Sequence, residues 1–165
     1  MTAEELKLTL TPILGRIPSG VFILVARSDD GNTTGLLASF IQQASFDPPQ
    51  VTVAVNKSRY LNDWLKIGSP VTLNQVQKGD NILLRHFGKG FEPGADAFDG
   101  LECTPGTSGL PLLKQAMTCM EGCVAGRMEA GDHVVYLVTL TNAVANRDAS
   151  EFDPWVHIRK NGFSY

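Results

Sequence analysis

The densest chemistry in the chain sits in four consecutive residues, Asn56-Lys57-Ser58-Arg59. They bring two cations, a hydroxyl and an amide to the front of a segment in which Leu61, Trp64, Leu65 and Ile67 recur at helical spacing and Gly68 supplies a stop. The N-terminus of a helix carries unpaired N–H groups and partial positive charge, so the turn suits a phosphate. It equally suits a solvated turn with Ser58 as helix cap, and spacing alone leaves both readings open. Of three histidines, His133 follows Gly131-Asp132 beside a tight turn, while His86 and His157 read as structural or exposed. Phe87 precedes, and Lys89 lies within, the glycine-rich run Gly88-Lys89-Gly90-Phe91, which lies in a long loop and is therefore no P-loop. Cys103, Cys119 and Cys123 form no C-x-x-C pair; they read as reduced packing residues, and no metal site is expected.

Several motifs are missing. The chain has no G-x-G-x-x-G, no G-x-x-x-x-G-K-[ST], no H-E-x-x-H and no G-x-S-x-G. Ordinary dinucleotide-binding, nucleotide-hydrolysing, zinc-protease and serine-hydrolase readings lose their main support.

The elements that must position these residues are mostly strands. Residues 4–14 suit a short helix, stopped by Pro12 and Gly15. Residues 21–26 are continuously apolar and precede the turn formers Ser28-Asp29-Asp30-Gly31-Asn32, so they read as a strand and hairpin loop. One long strand is expected over 34–45, ending against Asp47-Pro48-Pro49. A third follows where Val51, Val53 and Val55 alternate with Thr52, Ala54 and Asn56. Residues 71–76 suit a strand, 81–87 a short helix and 88–109 a loop. Two long β-rich segments, 114–128 and 133–144, are joined at 129–132, and residues 155–159 alternate again. Trp64 is expected in the core with Leu61 and Leu65. Six or so strands joined mainly by hairpins predict a mainly β fold, an antiparallel split barrel with Greek-key-like connections and short helices.

At 165 residues the chain suits one domain, residues 1–165, and 43% hydrophobic content supplies its core. A net charge of −3 argues against a nucleic-acid surface. No stretch approaches the roughly 20 apolar residues a membrane span needs. The polar, acidic start Met1-Thr2-Ala3-Glu4-Glu5 lacks the features of a secretory signal, so a cytoplasmic protein is expected.

Taken in order, Gly35-Leu36-Leu37-Ala38-Ser39-Phe40, Ala44-Ser45-Phe46-Asp47-Pro48-Pro49, Asn56-Lys57-Ser58-Arg59 and Gly131-Asp132-His133 resemble the flavin reductase-like FMN-binding family, whose members share G-x-x-x-S-F, S-x-x-P-P and G-D-H. The resemblance runs from about Gly15 to the C-terminus. It is nearest to the C-terminal flavin reductase module of flavodiiron proteins of oxygenic phototrophs, through Leu10-Thr11-Pro12-Ile13-Leu14-Gly15-Arg16-Ile17-Pro18 and the ending from Asp153 to Tyr165. It implies a fragment of a larger protein, linked to diiron and flavodoxin-like domains, that passes hydride from NADH or NADPH to FMN in the cyanobacterial cytosol or chloroplast stroma. It also implies a homodimer. In the family, positions matching Leu37, Ala38, Ser39, Phe40, Ala44 and Ser45 border the flavin ring, and Asn56, Lys57, Ser58 and Arg59 hold the phosphate. Phe87 and Lys89 reach the flavin from the loop. The histidine matching His133 sits at the flavin and nicotinamide site, in contact and orientation. Two other readings share the barrel: an FMN- or haem-binding module without enzymatic activity, and a pyridoxamine-phosphate-oxidase-type enzyme, which would want a more basic phosphate site than Lys57 and Arg59 provide.

Overall fold

The computed structural model describes residues 1–148 and 150–164; Tyr165, the last residue of the C-terminal run likened to the family, lies outside them. In chain order the elements are α1 (Ala3–Leu14), β1 (Ser19–Gly20), β2 (Phe22–Arg27), β3 (Thr33–Ala38), β4 (Ile41–Phe46), β5 (Pro49–Asn56), a 3-10 turn (Tyr60–Asp63), β6 (Pro70–Gln75), α2 (Asn81–Phe87), β7 (Cys103–Pro105), β8 (Pro111–Leu113), β9 (Thr118–Ala130), β10 (His133–Ala145) and β11 (Val156–His157). Seven strands form one antiparallel sheet in the order β3-β2-β6-β9-β10-β5-β4. Its two edge strands, β3 and β4, are neighbours in the chain but are not paired with each other. This is the expected split barrel.

The continuous apolar run of β2 has a simple cause. Phe22, Leu24 and Ala26 point into the barrel with Val53, Val55, Leu73 and Tyr136, whereas Val21, Ile23 and Val25 point outward into a second core with Leu83, Phe87, Leu110 and Leu113. A strand buried on both faces has no polar face to alternate with. β5 is buried on one face only, and there the alternation of Val51, Val53 and Val55 with half-buried neighbours is clean.

Three expectations change. The strand expected over 34–45 is two strands: β3 pairs with β2, as Phe22↔Ala38, whereas β4 pairs with β5, as Ile41↔Val53. The chain changes partners at Ser39-Phe40, where the Phe40 carbonyl takes the Ala54 N–H at 2.9 Å. The helix expected after Ser58 is a single 3-10 turn, because Asn62 Nδ2 donates to the Asn56 and Arg59 carbonyls, both at 2.8 Å, and holds that backbone in a turn. Residue 12 ends nothing: α1 runs through Pro12 to Leu14, opened by a capping box between Thr2 and Glu5. Trp64 is partly buried and packs on the barrel core, as expected.

Candidate functional site

The split in the barrel is a cavity of about 340 Å³, a size that suits a cofactor ring. Leu36, Leu37, Ala38 and Ser39 form one wall, and Ala54, Val55 and Asn56 of β5 form the facing one. Leu84, Phe87 and Gly88 close it from α2, and Trp155 and His157 from the C-terminal segment. Because β3 and β4 separate at Ser39, the sheet leaves a gap there that no ladder fills. The Ser39 hydroxyl is buried at this gap and has no hydrogen-bond partner among the described residues. A buried hydroxyl left unpaired costs about 1–3 kcal/mol, so this one is suited to an occupant that can bond to it.

A second recess of about 450 Å³ adjoins the first and shares Leu36 and Arg59 with it. Ser58, Arg59, Lys89, Gly90 and Glu92 line it, two cations facing one carboxylate. Gly90 takes φ +74°, a backbone conformation that favours glycine, and the loop passes close over the Arg59 guanidinium, 3.2 Å from where a Cβ would stand.

The 56–59 turn between the cavities is held rigidly. Asn56 Oδ1 accepts the Ser58 N–H at 2.9 Å, and the Asn56 carbonyl accepts that of Arg59 at 3.0 Å. Asn62 braces the turn, and its Oδ1 accepts from the Tyr136 hydroxyl at 2.8 Å. Tyr136 is buried, which pushes its phenol pKa up and keeps it a neutral donor. Lys57 turns away: its N–H bonds the Asp132 carbonyl and its Nζ lies 2.7 Å from Glu129 Oε2. Hydrogen bonds from Lys57 and then Arg127 hold the Glu129 carboxyl below its usual range.

Of the residues singled out by sequence, Leu37, Ala38, Ser39, Asn56, Arg59 and Phe87 therefore meet around the first cavity, and Ser58, Arg59 and Lys89 around the second. Others lie apart. Ala44 is exposed and Ser45 half-buried on β4, beyond the change of partner, and neither lines the gap. Phe40 and His133 lie just outside the lining. Their ring centroids are 5.6 Å apart, and the Arg159 guanidinium sits 4.8 Å from the Phe40 centroid. His133 pairs with Asn56 across β10 and β5, and its Nδ1 is 2.7 Å from Asp132 Oδ1. That bond is the main reason the Asp132 carboxyl is held below its usual range. His86 packs against Phe87 and Phe91 with Nε2 2.9 Å from the Ala97 carbonyl, a structural role as expected. The three cysteines are unpaired, and burial pushes the Cys119 thiol up to about 11. Sequence reasoning missed Leu36, Ala54, Val55, Leu84 and Trp155, and placed His157 among structural or exposed residues; it lines the cavity. The signal for the last two was the alternation over 155–159.

The sequence profile of the flavin reductase-like domain matches residues 14–163. The chain belongs to the flavin reductase-like family. It is 38% identical over 165 residues to diflavin flavoprotein A 1 of Synechocystis sp., a match covering 98% of this chain and 28% of that protein. The chain thus spans under a third of the length of the curated relatives it matches. Among solved structures it is similar to the NADH:FAD oxidoreductase SgcE6 of Streptomyces globisporus, at TM-score 0.80 and 23% identity, covering 98% of this chain and 92% of the other. A second structure of SgcE6, in complex with NAD and FAD fragments, aligns at TM-score 0.76 and 21% identity over 93% and 88% of the two chains. These structural likenesses bear on the fold alone.

Within this flavin reductase-like domain the motif residues have local physical reasons. Gly35 opens G-x-x-x-S-F because a Cβ there would lie 2.4 Å from Phe87 Cε1. Ser39 is the buried hydroxyl at the gap, and the Phe40 carbonyl joins the new strand pair. In S-x-x-P-P, Phe46↔Pro49 closes the β4–β5 hairpin. In G-D-H, Gly131 takes φ +61° at the β9–β10 turn, and Asp132 holds His133. No helix among the described residues is long and apolar enough to cross a membrane.

Proposed function

We propose that this chain is an NAD(P)H-dependent flavin reductase domain that binds FMN and takes hydride onto it from NADH or NADPH. The observation that carries the reading is the pair of adjoining cavities, one an apolar gap with an unpaired buried hydroxyl, the other carrying Ser58, Arg59 and Lys89. The groups fit the two halves of a flavin mononucleotide. Leu37, Ala38 and Ser39 with Phe87 would hold the ring, Ser39 donating to one of its acceptor atoms. Ser58, Arg59 and Lys89 would hold the phosphate, where charge-assisted hydrogen bonds contribute about 1.5–3 kcal/mol each. Glu92 lies in the same recess and works against the anion, so the two cations must outweigh it. Lys57, spent on Glu129, leaves this set.

When bound, the flavin supplies a ring that accepts hydride directly from nicotinamide, so no side chain need act as acid or base. The residues of this chain bind, orient and exclude water. His133 beside the site, held by Asp132 and tilted against Phe40, would orient the nicotinamide. The nicotinamide nucleotide is read as a transient partner, consistent with the NAD fragment in the SgcE6 complex.

The short span relative to the diflavin flavoproteins supports a wider reading. Residues 1–165 are one domain of a longer soluble protein of the cyanobacterial cytosol or the chloroplast stroma, passing electrons to diiron and flavodoxin-like domains that reduce O2. The domain acts as a homodimer. The decisive experiment is anaerobic stopped-flow mixing of the FMN-loaded protein with NADH and with NADPH. Bleaching of the flavin band with either donor upholds the reading. A stable oxidised band with both would make the domain a flavin binder without reductase activity.

A further inference from the structure

Residues 153–159 cross the open end of the barrel as a strap clipped by main-chain bonds. The Lys78 N–H donates to the Asp153 carbonyl and the Trp155 N–H to that of Val76, both at 2.9 Å. His157 pairs with Ser19 and Val156 with Gly20, and the Arg159 N–H donates to the Gly15 carbonyl at 2.8 Å. Gly15 has no room for more: a Cβ there would lie 2.6 Å from the Arg159 carbonyl oxygen. These main-chain bonds fix the path of the strap, so the side chains of Trp155 and His157 are not what attaches it at residues 155–157.

Side chains along the strap alternate. Val156 and Ile158 face solvent, 56% and 51% exposed, while Trp155, His157 and Arg159 are half-buried on the inner side. Trp155 and His157 line the apolar cavity, and Arg159 lies against Phe40. The indole also rests on the outer core, which fixes its plane, whereas no hydrogen bond holds the His157 imidazole among the described residues. An aromatic plane and a free donor–acceptor ring, both aimed into a slot between two strands, suit a flat heteroaromatic occupant.

We propose that Trp155 and His157 contact the flavin ring, so that the strap forms a wall of the cofactor cavity and sets how tightly the ring is held. This rests on the reading that a flavin fills the first cavity, and it assigns the strap to the ring and not to the phosphate tail. The test is fluorescence titration of FMN and of lumiflavin, which has the ring but no ribityl phosphate. The proteins are the wild type, Trp155→Ala, Trp155→Phe, His157→Leu and the outward-facing control Val156→Ala. Trp155→Ala and His157→Leu are expected to weaken both ligands by a similar factor, on the order of tenfold. Trp155→Phe should recover most of that loss, and Val156→Ala should bind as the wild type does. Unchanged lumiflavin affinity in Trp155→Ala and His157→Leu would overturn the proposal while leaving the flavin reading intact, as would a loss confined to FMN. A wild-type protein that binds neither ligand would instead remove the flavin reading, and this proposal with it. His157 is partly exposed and its side chain makes no hydrogen bond among the described residues, so its variant reports even if Trp155→Ala disturbs the outer core.

Discussion

Replacing Asn62 with alanine tests the brace that positions the 56–59 turn. The side chain satisfies three groups at once: the Asn56 and Arg59 carbonyls at 2.8 Å, and the hydroxyl of Tyr136, also at 2.8 Å. The two carbonyls lie near solvent and regain water, so each lost bond costs about 0.5–1.5 kcal/mol. Tyr136 is 1% exposed, and its hydroxyl would keep only the 3.5 Å approach to the Asn62 carbonyl. A buried donor left nearly unpaired costs about 1–3 kcal/mol more. The expected destabilisation is roughly 3 kcal/mol, a fall in Tm of about 6–12 °C for a domain of this size. The assay is thermal and urea unfolding of Asn62→Ala, Tyr136→Phe and the double variant. In the double variant the orphaned hydroxyl is gone, so its stability should exceed that of Asn62→Ala alone. A loss below about 1 kcal/mol for Asn62→Ala, or a further loss on adding Tyr136→Phe, would refute the brace. Binding gives an independent readout: with the turn loosened, the preference for FMN over riboflavin should shrink.

The remaining predictions follow the same site outward. The wild type should bind FMN more tightly than riboflavin, and Lys89→Ala or Arg59→Ala should narrow that gap by about tenfold in titration calorimetry; equal affinities in the wild type would remove the phosphate assignment. Ser39→Leu should block flavin binding without unfolding the barrel, whereas Ser45→Leu on β4 should leave it intact, and the reverse ranking would move the site across the change of partner. His133→Ala should slow flavin reduction by NAD(P)H by up to about 100-fold with a little-changed melt, since a misplacement of about 1 Å costs on that order; an unchanged rate would remove His133 from the reaction. Glu121 is buried, which by itself pushes its carboxyl up, but hydrogen bonds from Asn142 and Thr107 outweigh burial and hold the folded group below its usual range. A depressed folded value means its stabilisation is present above the ordinary carboxylate range and is lost as pH falls through that range and below. Glu121→Gln should therefore melt lower than the wild type at neutral pH, with the gap closing in acid; a gap constant with pH would show that charge plays no part.

What the sequence determined by itself was local. The two-residue alternation over 51–56, the Gly131 turn and the order of three short motifs are written in neighbouring residues, so the barrel and the family were legible without coordinates. Leu37, Ala38 and Ser39 were singled out because they lie within the first motif, Asn56 and Arg59 because of the cationic 56–59 turn, and Phe87 through the resemblance, and all six line the first cavity. Only the tertiary structure decided where the strand after Thr33 changes partner. That choice depends on which strand lies alongside, β2 or β5, and it separates Ser39 from Ser45. It also decided that Lys57 serves Glu129, since a flexible cation goes to the nearest carboxylate in space, here across the β9–β10 hairpin. The same holds for His157, placed at the cavity by pairing with β1, well over a hundred residues away in the chain, and for Trp155, held there by the Val76 carbonyl. A two-residue period says that a segment has an inner face; what that face looks onto is settled only when the sheet has closed.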